Sequence, residues 1–199
     1  MLRCQCGKLN GRISRLSKTL NKRFVCYCLD CQVYAHFLKQ TELILDSNGG
    51  TEIIPVHPSH LEILQGADQL ACVRLSSNGM NRWYTKCCQS PVANTQKSAS
   101  LPFAGIHSTL FNFSSDKERE SVLGPVSARS NGKTAYGNLS LPISQNVPLK
   151  MIAKTFVFLI VGIIRRLHSP SPFFDSNGEL RVVPETLTDQ QYDNLIKEK

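Results

Sequence analysis

Three thiols stand close together at Cys26, Cys28 and Cys31, in the stretch Phe-Val-Cys-Tyr-Cys-Leu-Asp-Cys-Gln at residues 24–32. Thiolates are soft ligands, and zinc takes them in a tetrahedral shell with bonds of ~2.3 Å. Spacing this tight lets one turn of chain present several ligands, so little chain entropy is lost in assembling a site. Three local thiols leave a fourth position. Filled by a distant residue, the site is structural; filled by water or substrate, it is a place for chemistry.

The other cysteines extend the pattern. Cys4-Gln5-Cys6-Gly7 sets two thiols and a glycine in the form of a tight metal-binding turn. Cys87 and Cys88 are adjacent, while Cys72 sits in the apolar run Leu70-Ala71-Cys72-Val73 and reads as a core residue. The seven clustered thiols fit one closed four-thiolate site and one open three-thiolate site. Cys87 can complete either, and its destination decides whether Cys26, Cys28 and Cys31 form a scaffold or a reactive centre. Redox chemistry is the rival use. Cys28 and Cys31 have dithiol spacing, but no thioredoxin-like βαβ pattern surrounds them. Histidines compete poorly. His57 and His60 flank Pro58 and read as solvent-facing loop residues, His36 as a neighbour of the ligands, and His107 as a core histidine or a pocket wall.

Positioning these thiols falls to short extended runs. Residues 2–9 and 11–20 read as two short strands with their loops, and residues 23–25 lead into the thiol cluster. Residues 32–38 suit a helical turn or a strand start. Strands are expected at 41–45, 51–55, 61–64, 70–75, 80–84 and 91–94, with turns at Asp46–Gly50 and Ser76–Gly79. Short strands at this spacing argue for an antiparallel body. Beyond residue 96 the texture changes. Ser115 and Glu118 form a capping-box pattern for a helix that ends at Gly124-Pro125, and residues 127–138 read as a polar loop. Thr188 and Gln191 repeat the capping signal for a terminal helix. The chain therefore divides into a zinc-binding β core at 1–96 and a helical extension at 97–199.

The most apolar stretch is 151–167. Only uncharged residues lie between Lys154 and Arg165, too few for a spanning helix, which needs ~20. Its length favours a helix buried against the domain or a partner subunit over one lying on a membrane surface.

At 199 residues, 41% hydrophobic and 19% charged, the composition is that of a globular chain rather than a disordered one. Eight cysteines with no secretory signal at the start argue for metal or redox use in the cytoplasm over a disulfide framework. The net charge is +8. In the first forty residues Arg3, Lys8, Arg12, Arg15, Lys18, Lys22, Arg23 and Lys39 face the single acid Asp30. No aromatic interleaving or nucleic-acid module accompanies them, so a solvated basic face is expected and no nucleic acid.

The order Cys4-x-Cys6-Gly7, Cys26-x-Cys28-x-x-Cys31-Gln32, then Arg82-Trp83-Tyr84 and Cys87-Cys88-Gln89-Ser90-Pro91 resembles the glutathione-dependent formaldehyde-activating enzyme / centromere protein V family, in a bacterial branch. The resemblance covers residues 2–94 best. It implies a mainly β fold with α additions, a β-tent of small antiparallel sheets holding one or two Zn²⁺ ions. It also implies that Cys4, Cys6 and Cys88 match a structural site and Cys26, Cys28 and Cys31 a second site that meets a thiol adduct. The family pattern places a cysteine where this chain has Thr85, and Cys87 stands nearby instead, so either Cys87 replaces that ligand, or it turns towards the second cluster, or one metal is shared or lost. A carbon–sulfur lyase acting on a small-molecule thiol or glutathione adduct is the activity so implied. The alternative is a non-catalytic, zinc-stabilised protein whose basic face or apolar helix serves a partner, a membrane surface or a homodimer, with the membrane surface the least favoured.

Overall fold

The structure is a computed structural model that describes residues 1–16, 21–138 and 141–197. Lys18 and the end of the loop expected at 11–20 lie outside the described residues.

The architecture is mainly β with helical additions. A small sheet joins β1 (Leu2–Arg3), β2 (Asn10–Ile13) and the later strand at Leu61–Gln65. The chain next forms β3 (Phe24–Cys26), α1 (Leu29–Phe37), α2 (Thr41–Ile44), β4 (Thr51–Val56), that later strand as β5, β6 (Leu70–Arg74), β7 (Asn81–Thr85), β8 (Pro91–Thr95) and β9 (Ala104–His107). It closes with α3 (Asp116–Leu123), β10 (Arg129–Ser130), α4 (Leu149–Ile164), β11 (Glu185–Thr186) and α5 (Asp189–Lys197). The large sheet has the order β10-β3-β4-β9-β8-β7-β6-β11, antiparallel except at its two edges. β9 lies between β4 and β8, so the chain on both sides of residue 96 contributes to one sheet.

Covered on both faces, β8 and β9 are buried along their whole length. Trp83 on β7 is fully buried; its indole N–H donates to Thr95 Oγ1 at 3.0 Å and its ring meets Phe173 at 4.8 Å. Phe173 belongs to the segment between α4 and β11, so distant chain closes the core. A second apolar cluster sits between α1, α2, α5 and β6, around Tyr34, Leu38, Val73 and Leu187.

Both capping signals act as read. Ser115 Oγ accepts the Glu118 N–H at 3.2 Å, and Gly124, with φ of 73°, ends α3. Thr188 Oγ1 accepts the Gln191 N–H while the Thr188 N–H donates back to Gln191 Oε1 at 2.8 Å.

Three expectations are corrected. The strand expected at 41–45 is the helical turn α2. Only Ile44 is buried in it, so the apolar run served one inward contact rather than an alternating face. The polar stretch 127–138 contains β10, paired in parallel with β3. His57 is not solvent-facing: it is 3% exposed, its Nδ1 lies 2.8 Å from the Pro102 carbonyl, and its ring stacks on Phe158 at 3.8 Å. The α4 helix covers it, and no local signal in the sequence could announce that.

His107 is a core histidine. Burial, with the charge of Arg82 added, lowers its pKa from 6.5 to about 3. Between those values the unfolded chain holds a proton that the folded chain refuses. Stability therefore falls as pH drops through that window, by up to about 1.4 kcal/mol per pH unit. Urea midpoints of wild type and His107→Leu at neutral and mildly acidic pH test this, since the variant is expected to lose less on acidification. Equal losses in both proteins would remove His107 as the cause.

Candidate metal centres

The first centre ties the small sheet to the large one. Cys4 and Cys6 follow β1 in the turn that leads to β2, where the Gly7 N–H donates to the Cys4 carbonyl at 2.9 Å. Gly7 takes φ of +77°, and a side chain there would run into the Arg3 guanidinium. Cys87 and Cys88 come from the β7–β8 connection. There the Gln89 N–H donates to the Thr85 carbonyl at 2.9 Å, closing a single helical turn. Residues in such a turn are rotated by ~100° from one another, so neighbours can face one metal without opposing each other.

The sulfurs of Cys4, Cys6, Cys87 and Cys88 converge. Separations are 3.7 Å for Cys4–Cys6, 3.9 Å for Cys4–Cys87, 3.3 Å for Cys6–Cys87 and 3.7 Å for Cys87–Cys88. A tetrahedron with metal–sulfur bonds of ~2.3 Å has edges of ~3.8 Å, so the group already has the dimensions of a four-thiolate shell. The question left open by the sequence is thereby answered: Cys87 stays with Cys4 and Cys6.

Thr85 occupies the place of the expected cysteine and organises the turn instead. Its Oγ1 accepts the Ser90 N–H at 3.1 Å and contacts Cys88 Sγ at 3.4 Å. Ser90 Oγ also contacts Cys88 Sγ, at 3.2 Å, and accepts the Gln5 N–H at 3.0 Å. Burial would raise the Cys88 pKa, yet these hydroxyls outweigh it and hold the thiol well below its ordinary value. Burial raises the Cys4 pKa and outweighs the Leu9 N–H, donated to its sulfur at 3.2 Å, which acts to lower it. One sulfur of the group is thus poised as thiolate before any metal arrives.

The second centre lies at the junction of β3 and α1. Cys26 ends β3, Cys28 occupies the N-cap position of α1, and Cys31 is in its first turn. Their sulfurs lie within 4.8 Å of one another. Among the described residues no fourth cysteine, histidine or carboxylate joins them. Cys26 and Cys31 are buried and Cys28 is half-buried, the most exposed of the three. The thiols of Cys28 and Cys31 donate to Cys26 and, with the Asn131 amide at 3.2 Å, hold the Cys26 pKa far below normal. Cys28 and Cys31 are raised in turn by their bonds to Cys26. Asn131 follows β10 with φ of 60°, a left-handed position suited to asparagine. The sequence offered no sign of it, because the contact spans more than a hundred residues.

Arg82 is the other residue that the motifs do not mark. It is buried on β7, lies over the Tyr34 ring at 5.3 Å and pairs with Asp30 at 3.5 Å. Burial alone would lower its pKa. The charges of Cys31, Asp30 and Cys28 outweigh that and hold it above its usual value. Asp30 in turn accepts the Tyr192 hydroxyl at 2.8 Å, which brings α5 to the same centre.

Both groups have the all-sulfur donor set and spacing of metal sites, and each can hold a metal ion. Cys72 is in neither; it is buried on β6, where burial pushes its pKa up to about 12. His36 lies in the last turn of α1, and His107 in β9, again outside both groups.

Residues 1–184 match the family of unknown function DUF6151. The chain belongs to that family. No curated protein matches the chain. Among solved structures, a crystal structure of a Rhodobacter sphaeroides protein from a structural-genomics programme shares 16% identity, with a TM-score of 0.43. The match covers 63% of this chain and 95% of that one.

Proposed function

We propose that Cys26, Cys28 and Cys31 hold a zinc ion whose fourth position takes a small-molecule thiol or thiol adduct, and that the protein makes or breaks a carbon–sulfur bond there. The observation that carries this reading is the unequal ligand count. Cys87 completes the group at Cys4, Cys6 and Cys88, and only three thiols converge at α1. The resemblance to glutathione-dependent formaldehyde-activating enzymes supports the same division of labour and suggests a glutathione adduct as substrate.

Zinc bound at such a site lowers the pKa of a coordinated thiol and generates the thiolate without a separate base. The chain's own residues prepare for that. The Asn131 amide draws charge from Cys26 Sγ. Arg82 supplies a buried positive charge beside Cys31 and Cys28, which offsets the excess negative charge of three thiolates and favours an anionic ligand. Asp30 and Tyr192 hold Arg82 in place from the α1 and α5 side.

Cys26→Ser tests the reading. The variant is expected to stay folded, to lose one of two metal equivalents and to lose measurable affinity for glutathione. Metal counting by mass spectrometry, circular dichroism and titration calorimetry give the three readouts. An unchanged metal count would sink the proposal, as would a metal-free protein with a reversible Cys28–Cys31 disulfide.

A further inference from the structure

The helix α4 was expected to be buried against the domain or a partner subunit, and within the chain it buries one narrow face only. Phe158 and Gly162 are its buried residues. Phe158 stacks on His57, and Gly162 sits so close to Pro102 that an added Cβ would lie 2.6 Å from that ring. On the opposite side Leu149, Ile152, Phe156, Ile160 and Ile163 recur at intervals of three and four and form one stripe. All five are exposed, Leu149 by 83% and Phe156 by 61%. A monomer in water has no reason to present such a stripe, so something covers it.

Charge indicates what. No Asp or Glu occurs between Glu120 and Asp175, whereas Lys150, Lys154, Arg165 and Arg166 lie on α4 and just past its end. Beside α4 opens a cavity of about 620 Å³ with Phe24 and Phe103 in its wall and Lys22, Arg129, Lys150 and Lys154 among its lining residues. An apolar surface framed by cations, with no acid in the segment, complements an anionic lipid surface. A second copy of the chain fits it poorly. Helices paired antiparallel would bring the Lys150 end of one copy to the Arg165–Arg166 end of the other, with no carboxylate on either helix to offset those charges.

We propose that α4 docks the protein in the plane of an anionic lipid bilayer, with the stripe from Leu149 to Ile163 in the acyl boundary and the flanking cations at the headgroups. Among the described residues no helix is long and apolar enough to cross a membrane. A helix of 16 residues, at ~1.5 Å per residue, suits a position in the interface.

Vesicle flotation of the full chain tests this, with vesicles of roughly three parts phosphatidylcholine to one part phosphatidylserine. The protein is expected to float with them, to float at least tenfold less with phosphatidylcholine alone, and to detach as salt rises to about 0.5 M. Ile160→Ser with Phe156→Ser is expected to abolish binding while circular dichroism and metal content stay unchanged, because both side chains point away from the fold. Lys150→Glu with Lys154→Glu is expected to lower binding at least tenfold on the anionic vesicles. No flotation on anionic vesicles overturns the proposal. So does flotation insensitive to the serine substitutions, or a homodimer in light scattering that those substitutions dissolve.

Discussion

Cys4→Ser is expected to cost the protein one metal ion and much of its thermal stability. The residue is 1% exposed and stands where the small sheet is tied to the β7–β8 turn. Those two pieces of chain meet through the sulfurs, with Gln5 N–H on Ser90 Oγ as a neighbouring link. Metal that binds only the folded chain stabilises it by RT ln(1 + [L]/Kd), about 4 kcal/mol when free metal stands a thousandfold above Kd. In a domain of this size that corresponds to roughly 10–15 °C in Tm. Cys87→Ser is expected to behave alike, and a strong chelator is expected to reproduce the loss in the wild-type protein. Acidification is expected to release the metal too, since its ligands must be deprotonated. Cys72→Ala serves as the contrast: it removes a buried thiol from β6 and leaves the metal count unchanged. Melting curves and metal analysis of the four proteins decide the matter. Full Tm and full metal in Cys4→Ser would show that the group is no structural clamp.

The second large effect is expected at Arg82. Arg82→Met keeps most of the apolar stem and removes the charge. Asp30 then loses its cationic partner while keeping the Tyr192 hydroxyl, the face of Tyr34 loses a cation, and the group at Cys26, Cys28 and Cys31 loses its nearby positive charge. Removing one partner of a buried ion pair costs ~3–5 kcal/mol. Here the Asp30 side chain is 50% exposed, so water screens it and a smaller value of ~1 kcal/mol is expected. The effect on metal is larger and selective: affinity at Cys26, Cys28 and Cys31 is expected to fall at least tenfold, while the group at Cys4 keeps its ion. Arg82→Lys keeps the charge and is expected to restore most of the affinity, though not the stacked geometry. Competition titrations with a chromogenic chelator, which resolve the two sites by affinity, supply the readout. Equal weakening of both sites would reduce Arg82 to a packing residue.

The local signals were readable in the sequence wherever neighbouring residues make the interaction. The capping residues Ser115 and Thr188 act through bonds three residues away, and Cys28 and Cys31 share one helical turn. The strand at 51–55 and the turn at Asp46–Gly50 are of the same kind, with Asp46 Oδ1 accepting the N–H groups of Asn48 and Gly50. Local patterning failed where burial is decided by distant chain. His57 looked like a loop residue until Phe158 stacked on it. Arg23 counted as part of a basic face, yet it is buried, donates to the Gly124 carbonyl at 2.6 Å and pairs with Glu52 at 3.0 Å. At α4 the apolar residues read as buried against the domain or a partner subunit, and the domain itself covers only Phe158 and Gly162.

By itself the sequence determined the donor chemistry. Seven clustered thiols, soft and closely spaced, offer the donor set of a thiophilic metal site, and their short-range groups are fixed by the chain itself. It also determined that Cys72 would stand apart, because an apolar strand buries it. Only the tertiary structure decided which thiols share a shell. Cys4 and Cys87 are brought together by the seam between two sheets, a contact across more than eighty residues that no periodicity encodes. Among the described residues that placement leaves Cys26, Cys28 and Cys31 without a fourth ligand, with Asn131 on one sulfur and Arg82 nearby, and it is on this that the proposed reactive centre rests.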